Sequence, residues 1–242
     1  EGNQQLRING LNWGLDNRVH GASGAVTIGY GGANNIRSGV SDKSVAIRSG
    51  DFRFDPDTGW IEPTSGPSQY GRVRDDWGNW FGVHNSHPLW HYVLPARYLR
   101  RNPDVTYPDS RRQVRTPRNP RIFANKPPQK RFHSFEQSGR FTSACGPSIY
   151  RDTILFGRSG VTHAFTCEPF HNVIQRSVIR EDGVSFSGER ADDGERDFFA
   201  SADRWSRPVF TRTGPDGALW FADMYRYMIE HPHWLPKNGQ DE

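Results

Sequence analysis

One short pattern recurs along this 242-residue chain and constrains its fold more than any other feature. It is a tight turn built from Asp, Asn, Pro or Gly, followed at once by a strand-length run rich in aromatic residues. The clearest copy is Pro215-Asp216-Gly217 leading into Ala218-Leu219-Trp220-Phe221-Ala222. Proline presets φ and glycine supplies φ > 0, so the tripeptide predicts a turn. The apolar run has the length and aromatic content of a strand. It ends at Asp223, and Tyr225, Arg226, Glu230 and His231 follow together. A turn, a buried strand and polar groups at the strand's end are how a β-propeller blade presents chemistry to one face.

Three more copies precede it. Leu11-Asn12-Trp13-Gly14, the turn residues Asp16-Asn17 and Val19-His20 make one hairpin. Phe52-Arg53-Phe54, the turn Asp55-Pro56-Asp57-Thr58-Gly59 and Trp60 make another, and the two together supply the four strands of a blade. The Gly- and Asn-rich stretch 29–39 between them reads as a loop. The second copy runs from Arg72-Val73-Arg74 through a turn at 76–79 to Trp80-Phe81-Gly82-Val83. The third shows strands at 145–150, 163–167, 172–179 and 184–187, with a turn at Glu181-Asp182-Gly183. Segment 192–207 reads as a charged connector with one helical turn at 196–202. Recurrence at uneven spacing predicts a repeat architecture with insertions. The expected fold is all-β, a β-propeller or part of one, with about four four-stranded blades in a single domain spanning 1–242. Closed propellers usually carry more blades, so the chain is expected to be part of a propeller completed by a further chain or domain, a split one, or a whole one whose other blades leave no pattern in the sequence.

Composition agrees. Gly 25, Pro 17 and 13% aromatic residues suit a turn-rich β architecture, and 34% hydrophobic content is enough for a sizeable core. No run of 18 apolar residues exists, so no transmembrane helix is expected. The chain opens at Glu1 without a basic, apolar leader, which fits either a removed signal peptide or an internal piece of a longer protein. The net charge of +4 is modest, and most of the excess lies in 97–131. That segment is crowded with Arg, Lys and Pro and reads as a long basic insertion over the surface. It offers a contact for an anionic polymer or a partner chain. Its Tyr107 and Phe123 are not spaced as a stacking platform, which argues against nucleic acid. Cys145 and Cys167 cannot build a structural zinc site alone. A disulfide between them would close a loop of about 20 residues and contribute roughly 3 kcal/mol. Two buried thiols are the alternative.

Several segments together resemble a family of large secreted proteins of planctomycetes and relatives, labelled membrane-bound dehydrogenases and distantly similar to glucose/sorbosone dehydrogenase propellers. The matching residues include Gly14-Leu15-Asp16, Asp75-Asp76-Trp77-Gly78-Asn79-Trp80-Phe81-Gly82 and Pro88-Leu89-Trp90-His91. They continue with Cys145-Gly146-Pro147-Ser148, Cys167-Glu168-Pro169 with His171-Asn172, and Gly214-Pro215-Asp216-Gly217 through Ile229-Glu230-His231-Pro232. The resemblance covers nearly the whole chain. It implies an extracytoplasmic propeller, periplasmic or secreted, acting on a sugar or alcohol. Pyrroloquinoline quinone and calcium are the cofactors it suggests, although no motif here aligns with a quinone site. The dehydrogenase label itself rests on fold analogy.

Aligned on their turns, the copies place three polar clusters at equivalent strand ends: His84, Asn85 and His87; Glu168, His171 and Asn172; Asp223, Tyr225 and Arg226. The first copy has Gly21-Ala22-Ser23 there. In a closed propeller such ends ring one channel, so the groups would converge on one pocket. His84 or His171 would then serve as general base on a substrate hydroxyl, with Arg226 holding developing charge. Asn85, His87, Asn172 and Tyr225 would bind substrate. Glu168 and Asp223 would hold calcium through oxygen. The competing reading is that these groups cap strand ends, leaving a non-catalytic carbohydrate-binding or protein-interaction propeller. A metal-dependent hydrolase or lactonase is a third. His91, His231 and His233, each near a Trp, read as packing residues. The adjacent pairs Asp75-Asp76 and Asp192-Asp193 would point to opposite faces of a strand and suit no two-carboxylate hydrolysis.

Overall fold

In the computed structural model the described residues are 6–27, 29–102, 104, 109–126 and 139–227. Glu230, His231, His233, Tyr107 and the Pro127-Pro128 pair lie outside them. The fold is all-β, a series of antiparallel sheets.

The first sheet has the order β1 (Asn9–Trp13), β2 (Val19–Ala22), β5 (Asp51–Phe54), β6 (Ile61–Thr64). Both hairpins expected from the Asp16-Asn17 and Asp55-Gly59 turns are present. Asp55 caps its turn by accepting from the backbone N–H groups of Asp57 and Thr58. The 29–39 stretch read as a loop contains a strand, β3 (Asn35–Arg37), which pairs with β4 (Ser44–Ala46) just beyond it in a small separate hairpin. Its Ile36 is buried in one cluster with Ile47 and Phe52.

The second sheet comprises β7 (Arg72–Arg74), β8 (Trp80–His84), β9 (His87–Tyr92) and β10 (Arg111–Gln113) in that spatial order. The last two were not expected as strands. Between them lies one helical turn, α1 (Ala96–Leu99). The basic segment is therefore not all surface loop. Val114, Arg115 and Ile122 are buried, and Arg115 donates to Ser177 and Gln175 in the next sheet.

The third sheet follows the expected copy closely: β11 (Cys145–Tyr150), β12 (Thr162–Glu168), β13 (Val173–Asp182) and β14 (Ser185–Arg190). The connector after it forms a short strand, β15 (Phe199–Ala200), against β13, and not a helical turn. Cys145 and Cys167 are opposite one another in the β11–β12 register, and both are free thiols. They pack among Tyr150, Phe165 and Ile174, where a neutral thiol behaves as a small hydrophobe. Of the two alternatives for this pair, the structure takes the thiols. The fourth sheet has two described strands, β16 (Pro208–Thr213) and β17 (Leu219–Asp223).

The sheets are related by a repeated step. First strands touch first strands: Asn12 Nδ2 donates to Arg72 O, Gly146 N to Tyr70 O at 2.8 Å, and Ser148 Oγ meets Thr211 Oγ1 at 2.8 Å. Arg212 on β16 then reaches Asn12 on β1, 200 residues away. Close approach is what the glycines at these crossings permit. A Cβ on Gly10 would meet the backbone of Gly71 and Arg72, one on Gly71 would meet Pro147 and Gly146, and one on Gly146 would meet Val209 and Phe210. All three have positive φ, which glycine alone adopts freely.

Candidate functional site

The expected clusters do fall at equivalent places. His84, Glu168 and Asp223 are the last residues of β8, β12 and β17, the second strands of their sheets. Each second-strand end is bonded to the segment leading into the next sheet's first strand. Gly24 N donates to Ser68 O, Ala144 N to Asn85 O at 2.9 Å, and Arg207 Nη1 to Pro169 O at 2.9 Å. The clusters therefore follow one another along the sheets' shared edge, each tied to the next.

What the groups do there differs from cluster to cluster. Glu168 is fully buried, and its Oε2 accepts from the backbone N–H of Thr142 and Ser143 at 3.1 and 2.8 Å. Its Oε1 faces His171 Nδ1 at 3.3 Å, and His171 Nε2 accepts from Gly139 N at 3.2 Å. With both ring nitrogens engaged and 2% of the residue exposed, His171 orders the 139–143 backbone and is not placed to take a substrate proton. Asn172 adopts φ of 60° and donates to the carbonyls of Arg204 and Ser206. Asp223 Oδ1 accepts from Arg207 N and Tyr225 N at 2.6 and 2.9 Å. Tyr225 donates its hydroxyl to Asp203, a bond that raises its pKa, and its ring packs on Trp205. Arg226 is exposed, and its carbonyl accepts from Arg207 Nε. Arg207 is the missed residue of this rim. Buried at 5% exposure, it gathers the carbonyls of Pro169, Phe170, Arg226 and Tyr227. The Arg-Pro pair before a strand was its only sequence signal.

The β8–β9 turn is different. His84 and His87 meet Nδ1 to Nδ1 at 3.2 Å, and Ser86 N also points at His84 Nδ1. His84 Nδ1 must accept in both contacts, so His87 carries its proton on Nδ1 and its Nε2 holds a lone pair. Among the described residues neither Nε2 has a protein hydrogen-bond partner. Burial, with the charges of Arg111 and Arg118 close by, lowers both imidazoles to about 4, so both are neutral at pH 7. They pack beside Trp90, whose other neighbours are Tyr92 and the Arg111 guanidinium at 4.9 Å. Asn85 contributes backbone to this turn, with N on Gln69 Oε1 and O on Ala144 N.

A calcium–quinone pair needs several oxygen donors converging on one point. The donor set at the strand ends does not fit it. Glu168 and Asp223 each spend oxygens on backbone N–H groups of their own loops. Among the described residues no three His, Cys, Asp or Glu side chains gather as a metal site.

These features define an all-β protein built of antiparallel sheets in series, with a polar rim at the ends of the second strands. A family model described as a domain of unknown function (DUF7133) matches residues 1–242. The chain belongs to that DUF7133 family. No curated protein and no solved structure matches it.

Proposed function

We propose that the chain is part of an extracytoplasmic β-propeller that recognises carbohydrate along its strand-end rim without oxidising it. The sheets would be blades, with β1, β7, β11 and β16 as the strands nearest the axis, and further strands would complete the ring. The observation that carries the non-catalytic reading is the burial of Glu168 and His171 under their own loop. A base and a carboxylate held that way serve the fold. The neutral, half-open His84–His87 pair is the part of the rim that suits a ligand, because its imidazole nitrogens bind hydroxyls without bringing charge. The placement outside the cytoplasm rests on the resemblance to secreted propellers.

The oxidoreductase reading has one observation in its favour. His87 is oriented by His84 and offers a neutral nitrogen of the kind a general base uses. One experiment separates the two. The purified protein, supplied with calcium and pyrroloquinoline quinone, is assayed for dye-linked oxidation of sugars and alcohols and, in parallel, on a glycan array. Glycan binding that His87→Ala abolishes, with no turnover, is the expected result. Turnover that disappears in His87→Gln would replace it with the dehydrogenase reading.

A further inference from the structure

A second candidate site lies away from the strand-end rim, between the first two sheets. A cavity of about 270 Å³ opens between β2, β5 and β6 on one side and β7, β8 and β9 on the other, reaching the β1–β2 and β7–β8 turns. With liquid water occupying about 30 Å³ a molecule, this is room for about nine waters, or for one small ring. Two indoles line it. Trp80 forms part of its wall, and Trp77 is 64% exposed, with the Arg151 guanidinium stacked on its ring at 4.1 Å.

Paired hydrogen-bonding groups supply the rest of the wall. Arg72, 3% exposed, lies between the Trp80 and Tyr92 rings at 4.7 and 4.9 Å and bonds Asp51 at 2.8 Å. Its Nε has no partner among the described residues. His20, 5% exposed, stacks on Trp80 at 4.0 Å, with Nε2 on Asp16 at 3.1 Å and Nδ1 unpartnered among the described residues. Arg53 bonds both Asp16 and Glu62. Both unpartnered atoms are sealed from solvent, so neither is offered to an occupant of the cavity. Two of the cations in the wall are already paired, Arg53 with Asp16 and Glu62 and Arg72 with Asp51. Arg97, the third, is exposed and donates to Tyr98. A carboxylate ligand at Arg53 or Arg72 would have to displace the carboxylate already held there, with Asp16 in the same wall.

We infer that this cavity binds a single neutral polyhydroxylated ring, a sugar or a cyclitol. Its apolar face would lie against the exposed Trp77, and its hydroxyls would meet the paired Arg and Asp side chains. Planar fork-like groups such as Arg and Asp recognise vicinal hydroxyls because each presents two atoms at fixed spacing. The site is independent of the rim reading. Neither His84 nor His87 lines the cavity.

The test is a calorimetric and tryptophan-fluorescence titration of the whole chain with glucose, galactose, myo-inositol and glucuronate. Saturable binding of at least one neutral ring is expected, with glucuronate weaker. Trp77→Ala, which removes an exposed side chain, should weaken it tenfold or more, while His87→Ala leaves it unchanged. No saturation by any neutral ring, tighter binding of glucuronate, equal binding by Trp77→Ala, or loss in His87→Ala would each overturn the assignment.

Discussion

Gly146 and Gly183 have nearly the same left-handed backbone, with φ of 52° and 59°, and opposite surroundings. Gly183 turns the β13–β14 hairpin in open space, and Gly146 is pressed against β16. Alanine at either position meets the left-handed strain, about 1 kcal/mol. At Gly146 it also collides with Val209 O and the Phe210 Cα, which are backbone and cannot swing aside. Gly183→Ala should therefore lower the urea-unfolding free energy by about 1 kcal/mol, and Gly146→Ala by about 3 kcal/mol or more. Equal losses would show that the first strands can separate without cost. Asp51 illustrates the same dependence on distant partners. Fully buried, it accepts from Ser23 N, Ser68 N, Ser68 Oγ and Arg72 Nη1, and so fastens the first sheet to the second. A buried carboxylate is sustainable only with such a set of donors.

At the scale of elements, the β11–β12 pair decides the state of the two cysteines. Their residues are directly opposed, yet both thiols are free and enclosed by aromatic side chains. Burial raises both thiol pKa values, with the mutual proximity of the two and of Glu168 adding to it for Cys145. Thiols held neutral and covered react slowly, since the thiolate is the nucleophile. The native protein should consume no Ellman's reagent over minutes, and protein unfolded in guanidinium without reductant should release two equivalents. Zero equivalents after unfolding would mean a disulfide. The other elements show where local pattern suffices. The hairpins around Asp16-Asn17, Asp55-Gly59, Glu181-Gly183 and Pro215-Gly217 were legible because turn chemistry and an alternating flank lie within ten residues. β10 was not: Arg111-Arg112-Gln113 carries no apolar signal and is a strand only because β9 offers an edge to pair with. β9 itself, with Pro88 inside it, lacked the alternation that marks a half-buried strand.

For the whole molecule, the buried imidazoles set the response to acid. His20 and His91 are 5% and 4% exposed, and burial lowers each to about 4 from 6.5, with Arg72 adding to the effect at His20. A histidine with a depressed folded pKa is neutral in the native state while the unfolded chain takes up the proton. Its contribution is complete above pH 6.5 and is lost as pH falls from 6.5 toward 4. Each is worth on the order of 2 kcal/mol, so the melting temperature should drop steeply across that window. His91→Gln should flatten the slope, and a slope unchanged in that variant would remove His91 from the account. Hairpins are encoded by neighbouring residues, so the chain's order of residues was enough to specify a β fold of repeated turn-and-strand units and the equivalence of the strand-end positions. What those positions do follows only from how the sheets pack. Whether Glu168 is a ligand or a loop anchor depends on the Thr142 and Ser143 amides, and whether Arg72 is surface charge or the wall of a cavity depends on Asp51, Trp80 and Tyr92. Those partners arrive only when sheets pack, and no local pattern carries the free energy of an interaction between residues that far apart.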